Sequence, residues 1–242
     1  MKERYSISFN NPDGVTRVFV NGILVFSEED IGRSVSRASP FIRPGRNLIE
    51  LIPISVGRSS TVVIRDVVDG DHETAPILLT LTNEMETSGQ IAKSKSGYID
   101  IKSYPTEFKW FGASEIENID SHIPEIYSIL KQMAAALESG PSTALRKLLK
   151  LKHVEIASAL GLSVDDMNNG LEEGLMARRA KADFGVELVE LDLFIPLLSS
   201  DRRIVNVLRA NGGHAIKILD GRRNPGFSVS VAKIDGLWTI IR

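Results

Sequence analysis

Residues 114–137 read SEIENIDSHIPEIYSILKQMAAAL, and the architecture turns on that stretch. Ile116, Ile119, Ile123, Ile126, Ile129, Leu130, Met133 and Leu137 recur mostly at steps of three and four, which gathers them on one helical stripe. Pro124 sits inside the stripe. Proline lacks the amide proton a helix interior needs but suits a first turn, so a helix is expected to begin there. No comparable period occurs upstream.

The upstream residues read as strands. Tyr5–Phe9 alternates with period two and stops at the turn-rich Asn10–Gly14. Val15–Val20 and Ile23–Phe26 flank Asn21-Gly22, a pair suited to the two positive φ angles of a type I′ hairpin turn. Asn47–Ile54, Thr61–Val68, Ile77–Thr82, Tyr98–Ser103 and Glu107–Phe111 are further strands, and Glu86–Gly97 reads as an exposed mobile loop. An all-β sandwich is expected over residues 1–112, followed by a linker at 113–117.

Beyond the linker, Glu138-Ser139-Gly140-Pro141 stops the first helix, and Ser142 or Thr143 is expected to cap a second that runs toward Leu160. Gly161 ends it, and Ser163 caps a third over Val164–Ala182, with Asp165 and Asp166 in the favoured first turn. After Gly185 the period returns to two, over Val186–Leu193, Arg203–Arg209, His214–Leu219, Phe227–Ile234 and Leu237–Ile241. Short links, including the two-residue turn Asp235-Gly236, make that sheet antiparallel. Residues 118–242 are therefore expected to form an α+β domain of three N-terminal helices and a curved antiparallel sheet.

Composition narrows the chemistry. The chain has 242 residues, 43% of them apolar, which is enough for two buried cores. It has no cysteine, which removes disulfides, thiolate metal sites and thiol nucleophiles. Its 29 basic and 31 acidic residues leave a net charge of −2, so no basic excess points to nucleic acid. No apolar run approaches the roughly 18–20 residues that cross a bilayer. A cytoplasmic protein with no membrane or nucleic-acid partner is expected, although a leader already removed would leave no trace.

Two stretches resemble known families. Phe19-Val20-Asn21-Gly22 followed by Ile42-Arg43-Pro44-Gly45-Arg46-Asn47-Leu48-Ile49-Glu50-Leu51 resembles the jelly-roll, galactose-binding-like accessory domains of bacterial glycoside hydrolases. Physically, Pro44-Gly45 makes the tight turn and Asn47 can hydrogen-bond the loop backbone. The resemblance implies a domain that contacts a glycan or a protein partner. Phe41, Tyr98, Trp110 and Phe111 are the aromatics available to stack on a sugar, with core packing as the alternative for Trp110 and Phe111. The run from Ala134 to Leu149 and the tail from Val229 to Arg242, with its Asp235-Gly236-Leu237-Trp238 turn, resemble nuclear transport factor 2-like (SnoaL-like) cone domains. That second resemblance implies a homodimer or a small-ligand pocket, in a fold that serves enzymes and binding proteins alike.

Chemistry-bearing residues are sparse. Continuous strand over 186–194 would set Glu190 and Asp192 side by side on one face with Val186, Leu188 and Phe194. Enclosed in a pocket, that face would raise one carboxyl pKa; in solvent it would be a hydrated surface. Asp192 with His214, oriented by Glu190 or Asn206, would suit proton abstraction beside a carbonyl; Asn206, Phe194 and Trp110 are the candidate ligand-binding residues. The four histidines are scattered, and the acidic turn Asp66–Asp71 lacks the alternation of a calcium loop, so no metal and no cofactor is expected. Arg178, Arg179 and Lys181 are placed to complement their own helix dipole, and Arg202-Arg203 and Arg222-Arg223 are loop cations. With no compact set of nucleophile, base and orienter, a non-enzymatic bacterial binding or assembly protein is expected. The alternative is a SnoaL-like acid/base isomerase, dehydratase or hydrolase.

Overall fold

A computed structural model of the chain describes residues 5–67, 74–84, 90–102, 108–221 and 226–242. Most of the acidic turn, the start of the Glu86–Gly97 loop, and Arg222-Arg223 lie outside the described residues. The protein is mixed α+β with a large antiparallel portion. It divides into two compact units, Met1–Glu107 with Ser158–Gly161, and Phe108–Ala157 with Leu162–Arg242.

The first unit contains β1 (Tyr5–Asn11), β2 (Thr16–Val20), β3 (Ile23–Phe26), β4 (Gly32–Arg37), β5 (Gly45–Pro53), β6 (Thr61–Asp66), β7 (Ile77–Thr82) and β8 (Lys95–Ile101). Two four-stranded antiparallel sheets result, ordered β4-β1-β6-β7 and β3-β2-β5-β8. Alternate residues of both sheets meet in one apolar cluster: Ile7 and Phe9 of β1, Val62 and Ile64 of β6, Val18 and Val20 of β2, Ile49 and Leu51 of β5. The Asn21-Gly22 turn adopts φ of 50° and 80°, as its composition requires. Asn47 is 0% exposed and sews the next loop shut. Its Oδ1 accepts the Arg43 N–H at 2.8 Å and an Asn21 side-chain N–H at 2.9 Å, while its amide nitrogen donates to the Arg43 and Gly45 carbonyls, each at 2.9 Å.

Two expectations for this half need correction, and one strand was not expected. β4 is a strand although Arg33, Ser34, Ser36 and Arg37 hide its period; it is an edge strand, paired only with β1. β8 starts at Lys95, inside the stretch read as loop, because Lys95–Gly97 pair with Leu51–Ile49. Of the expected strand Glu107–Phe111, Glu107 lies outside the described residues, and Lys109–Gly112 form a 3-10 turn where Phe108, Trp110 and Phe111 pack ring on ring. That turn belongs to the second unit, which moves the boundary a few residues ahead of 112.

The first α-helix of the second unit is α1 (Ile123–Glu138), carrying Pro124 in its first turn. Ile126, Leu130, Met133 and Leu137 form its buried stripe, and each such burial contributes roughly 1.5–3 kcal/mol. α2 (Ser142–Leu148) and α3 (Lys150–Leu160) replace the single second helix expected, the break falling at Leu149, where ψ opens to 6°. Pro141 occupies the cap position of α2, with Ser142 already helical, so neither Ser142 nor Thr143 caps it. α4 (Val164–Arg179) is capped as expected, by Ser163 accepting the Asp166 N–H at 2.9 Å.

Strands β9 (Gly185–Leu188), β10 (Phe194–Leu198), β11 (Ile204–Arg209), β12 (Ile216–Leu219), β13 (Gly226–Phe227), β14 (Val229–Ile234) and β15 (Leu237–Ile240) complete the unit. They form antiparallel sheets β10-β11-β14-β15 and β13-β12-β9, joined by a single bridge between Leu208 and His214. Val205, Val207, Val229, Val231 and Ile240 pack in one cluster with the α1 stripe.

Candidate functional site

The strand expected to carry a carboxylate pair does not run through. β9 ends at Leu188, the Val189 N–H still pairs with the Ala215 carbonyl at 2.8 Å, and Leu191–Leu193 then form a 3-10 turn. Glu190 and Asp192 therefore do not share a strand face, and both are exposed. His214 is half-buried, its Nδ1 3.4 Å from Ser228 Oγ, with its ring laid against Gly226 so closely that a Cβ there would meet Cδ2 at 1.9 Å. Asn206 is buried in β11, its Oδ1 accepting from Ser230 Oγ at 2.8 Å. Phe194 is buried edge-on to Tyr127, ring centroids 5.8 Å apart.

The expected aromatic platform is likewise engaged. Trp110 is 1% exposed, and its ring lies 3.8 Å from that of Phe111. Tyr98 is exposed, but the Arg46 guanidinium covers one ring face at 3.6 Å. No group of three or more His, Asp or Glu side chains that could hold a metal occurs among the described residues, and none of their helices is long and apolar enough to cross a membrane.

A buried polar cluster surrounds Arg242. Its guanidinium pairs with Glu155 at 3.1 Å and lies 4.9 Å from the Phe108 ring centre. Glu155 also accepts the Lys109 N–H at 2.7 Å. Burial pushes the Glu155 carboxyl up, against the opposing pull of Arg242. Burial also pushes the Lys152 ammonium down to about 8, with Arg242 adding to the shift. Two residues from Glu155, His153 holds Asn168 at 2.7 Å, and burial lowers its pKa. Glu155 thus ties α3 both to the Lys109 backbone and to the Arg242 side chain.

An open groove of about 780 Å³ lies between α1, α2 and β15 of the second unit. Ile129, Ala136, Ala144, Leu148, Trp238 and Ile240 give it apolar walls. Gln132, Ser139, Lys147 and Thr239 are its polar members; Lys147 is a cation, and no carboxylate lines it. Local sequence explains the shape. Small residues at Ala135, Ala136 and Ala144 leave space between the helices and the strand. Gly140 permits the tight α1–α2 turn, since a Cβ there would stand 2.7 Å from Ala136 Cα. Arg179 fixes the end of α1 by donating to the Ala136 and Leu137 carbonyls at 2.6 and 3.0 Å. It thus caps another helix rather than its own, while Arg178 pairs with Asp220 at 2.5 Å. On the strand side, the Trp238 indole donates to Glu125 at 2.7 Å and rests edge-on against His122. The indole bond holds the exposed Glu125 carboxyl below its ordinary range, with His122 adding to the effect.

Sequence reading missed this groove because Ile129 and Leu148 belong to the helical stripes and read as core. The usable signal was the alanine run 134–136 ahead of Ser139-Gly140, which cannot fill the space beside a strand. No protein-family model, curated protein or solved structure matches the chain.

Proposed function

We propose that this is a non-catalytic binding protein, in which the groove between α1, α2 and β15 is the binding surface. The observation that carries the reading is the groove itself: mostly apolar walls, a few polar groups among them and a volume in the ordinary range of ligand sites. Two sheets sharing one apolar cluster, and an Asn21-Gly22 hairpin tied to Asn47, support reading the first unit as a jelly-roll-like, galactose-binding-like sandwich. Helices followed by antiparallel sheets support a cone-like, nuclear transport factor 2-like second unit. The exposure of Glu190 and Asp192 weighs against the acid/base alternative, which needs them in one enclosed cavity.

The anionic apolar dye 1-anilinonaphthalene-8-sulfonate tests the groove. It should bind at one saturable site, lose at least tenfold in affinity in Ala135→Trp, and weaken in Lys147→Ala. Ala135 and Lys147 are exposed, so neither change disturbs the core. Dye binding unaffected by both substitutions, in proteins that melt like the parent, would refute the assignment.

A further inference from the structure

We propose that the occupant of this groove is an extended peptide that adds as a fifth strand along β15. The inference rests on the binding reading above and deepens it. Leu237, Trp238, Thr239 and Ile240 all line the groove. Successive strand residues point to opposite faces, so a groove touching all four follows the strand's open edge rather than one of its faces.

β15 is the end strand of the β10-β11-β14-β15 sheet. The Ile241 N–H donates to the Ser230 carbonyl at 2.9 Å, and Thr239 and Leu237 lie opposite Ala232 and Ile234. Antiparallel pairs alternate between bonded and non-bonded, so Thr239 and Leu237 turn their main-chain groups to β14. Trp238 and Ile240 turn theirs outward. Neither has another main-chain partner among the described residues. Four hydrogen-bonding groups thus face an apolar cleft, which is the arrangement that strand addition uses.

The opposite edge of the same sheet makes the contrast. β10 carries Pro196 at its centre, which removes a donor and blunts that edge. β15 reads LWTI, without proline, charge or register shift. At about 3.3 Å per residue it offers roughly 13 Å of edge, room for a segment of about four to six residues. Ile129, Ala136, Ala144 and Leu148 on the far wall select apolar side chains at alternate peptide positions. Lys147, the cation among the lining residues, selects an acidic residue at one end.

The test uses the full chain and a six-residue peptide alternating valine and threonine behind one glutamate, with the same peptide N-methylated at alternate amides as its control. The protein is unchanged in both arms, so folding is not in question. The parent peptide should bind, slow amide hydrogen exchange of Trp238 and Ile240 at least tenfold, and outcompete the methylated form tenfold or more. Equal binding of both peptides without amide protection would overturn strand addition and leave an apolar groove. Dye binding without peptide binding would do the same, whereas loss of both would remove the groove reading too. Amides of Trp238 and Ile240 already protected in a concentration-dependent dimer would assign the edge to a second copy and overturn the peptide proposal.

Discussion

Asn47→Ala is the sharpest test of how the first unit is held. The side chain is fully buried and makes four hydrogen bonds, to Arg43 N–H, Arg43 C=O, Gly45 C=O and Asn21. Each contributes about 1 kcal/mol net, and the loop is partly open to water, which can replace some of them. The expected loss is therefore roughly 2–4 kcal/mol, and it should appear first as faster amide exchange across β2 and β5. Asn47→Asp should cost about as much, because it keeps the acceptor but sets a carboxylate against two carbonyls. Asn21→Ala, which removes bonds to Phe41 C=O, Leu48 N–H and Asn47, should be non-additive with Asn47→Ala. A loss under about 0.5 kcal/mol, or strict additivity, would refute the claim that these two asparagines act as one clasp.

Leu130→Ala, at a 0% exposed site in the α1 stripe, should cost about 2–5 kcal/mol by denaturant unfolding. Glu155 and His153 should give opposite pH slopes. The Glu155 carboxyl is raised from 4.5, so the stability it contributes is full below that pH and is lost as pH rises through its folded pKa; Glu155→Gln should flatten that fall. His153 is lowered from 6.5, so its contribution is full above that pH and is lost as pH falls toward its folded pKa; His153→Gln should remove that acid-side loss. Unfolding midpoints taken from pH 4 to 8 on the three proteins check both signs.

Turn chemistry was the most legible part of the chain. Asn21-Gly22 and Asp235-Gly236 both take positive φ, at 50° and 80° and at 51° and 78°, because few other pairs tolerate that geometry. The α1 stripe was legible for a similar reason, since four buried side chains fix its period. Period-two reasoning failed where tertiary context decides. Phe108 and Trp110 alternate with Lys109 like a strand, yet they stack where a 3-10 turn begins, beside Arg242. The residues Leu188–Phe194 alternate too, but beyond the Val189–Ala215 pairing the chain leaves the sheet and turns through Leu191–Leu193. The groove was illegible because a single sequence shows which residues are apolar, and not which of them lack a neighbour. Ile129 inside a helical stripe and Trp238 in a closing hairpin read as core until their surroundings are known.

Trp110 and Trp238 are the protein's two tryptophans. The buried Trp110 indole N–H has no partner among the described residues, so Trp110→Phe strands no described acceptor and isolates Trp238 as a reporter at the groove. Acrylamide quenching of Trp238 in that background, with and without the alternating peptide, is the most direct measurement. Occupation of the β15 edge should shield the indole, cutting quenching severalfold and shifting emission to the blue. Bound peptide that leaves Trp238 quenching unchanged would place the binding surface elsewhere and contradict the account.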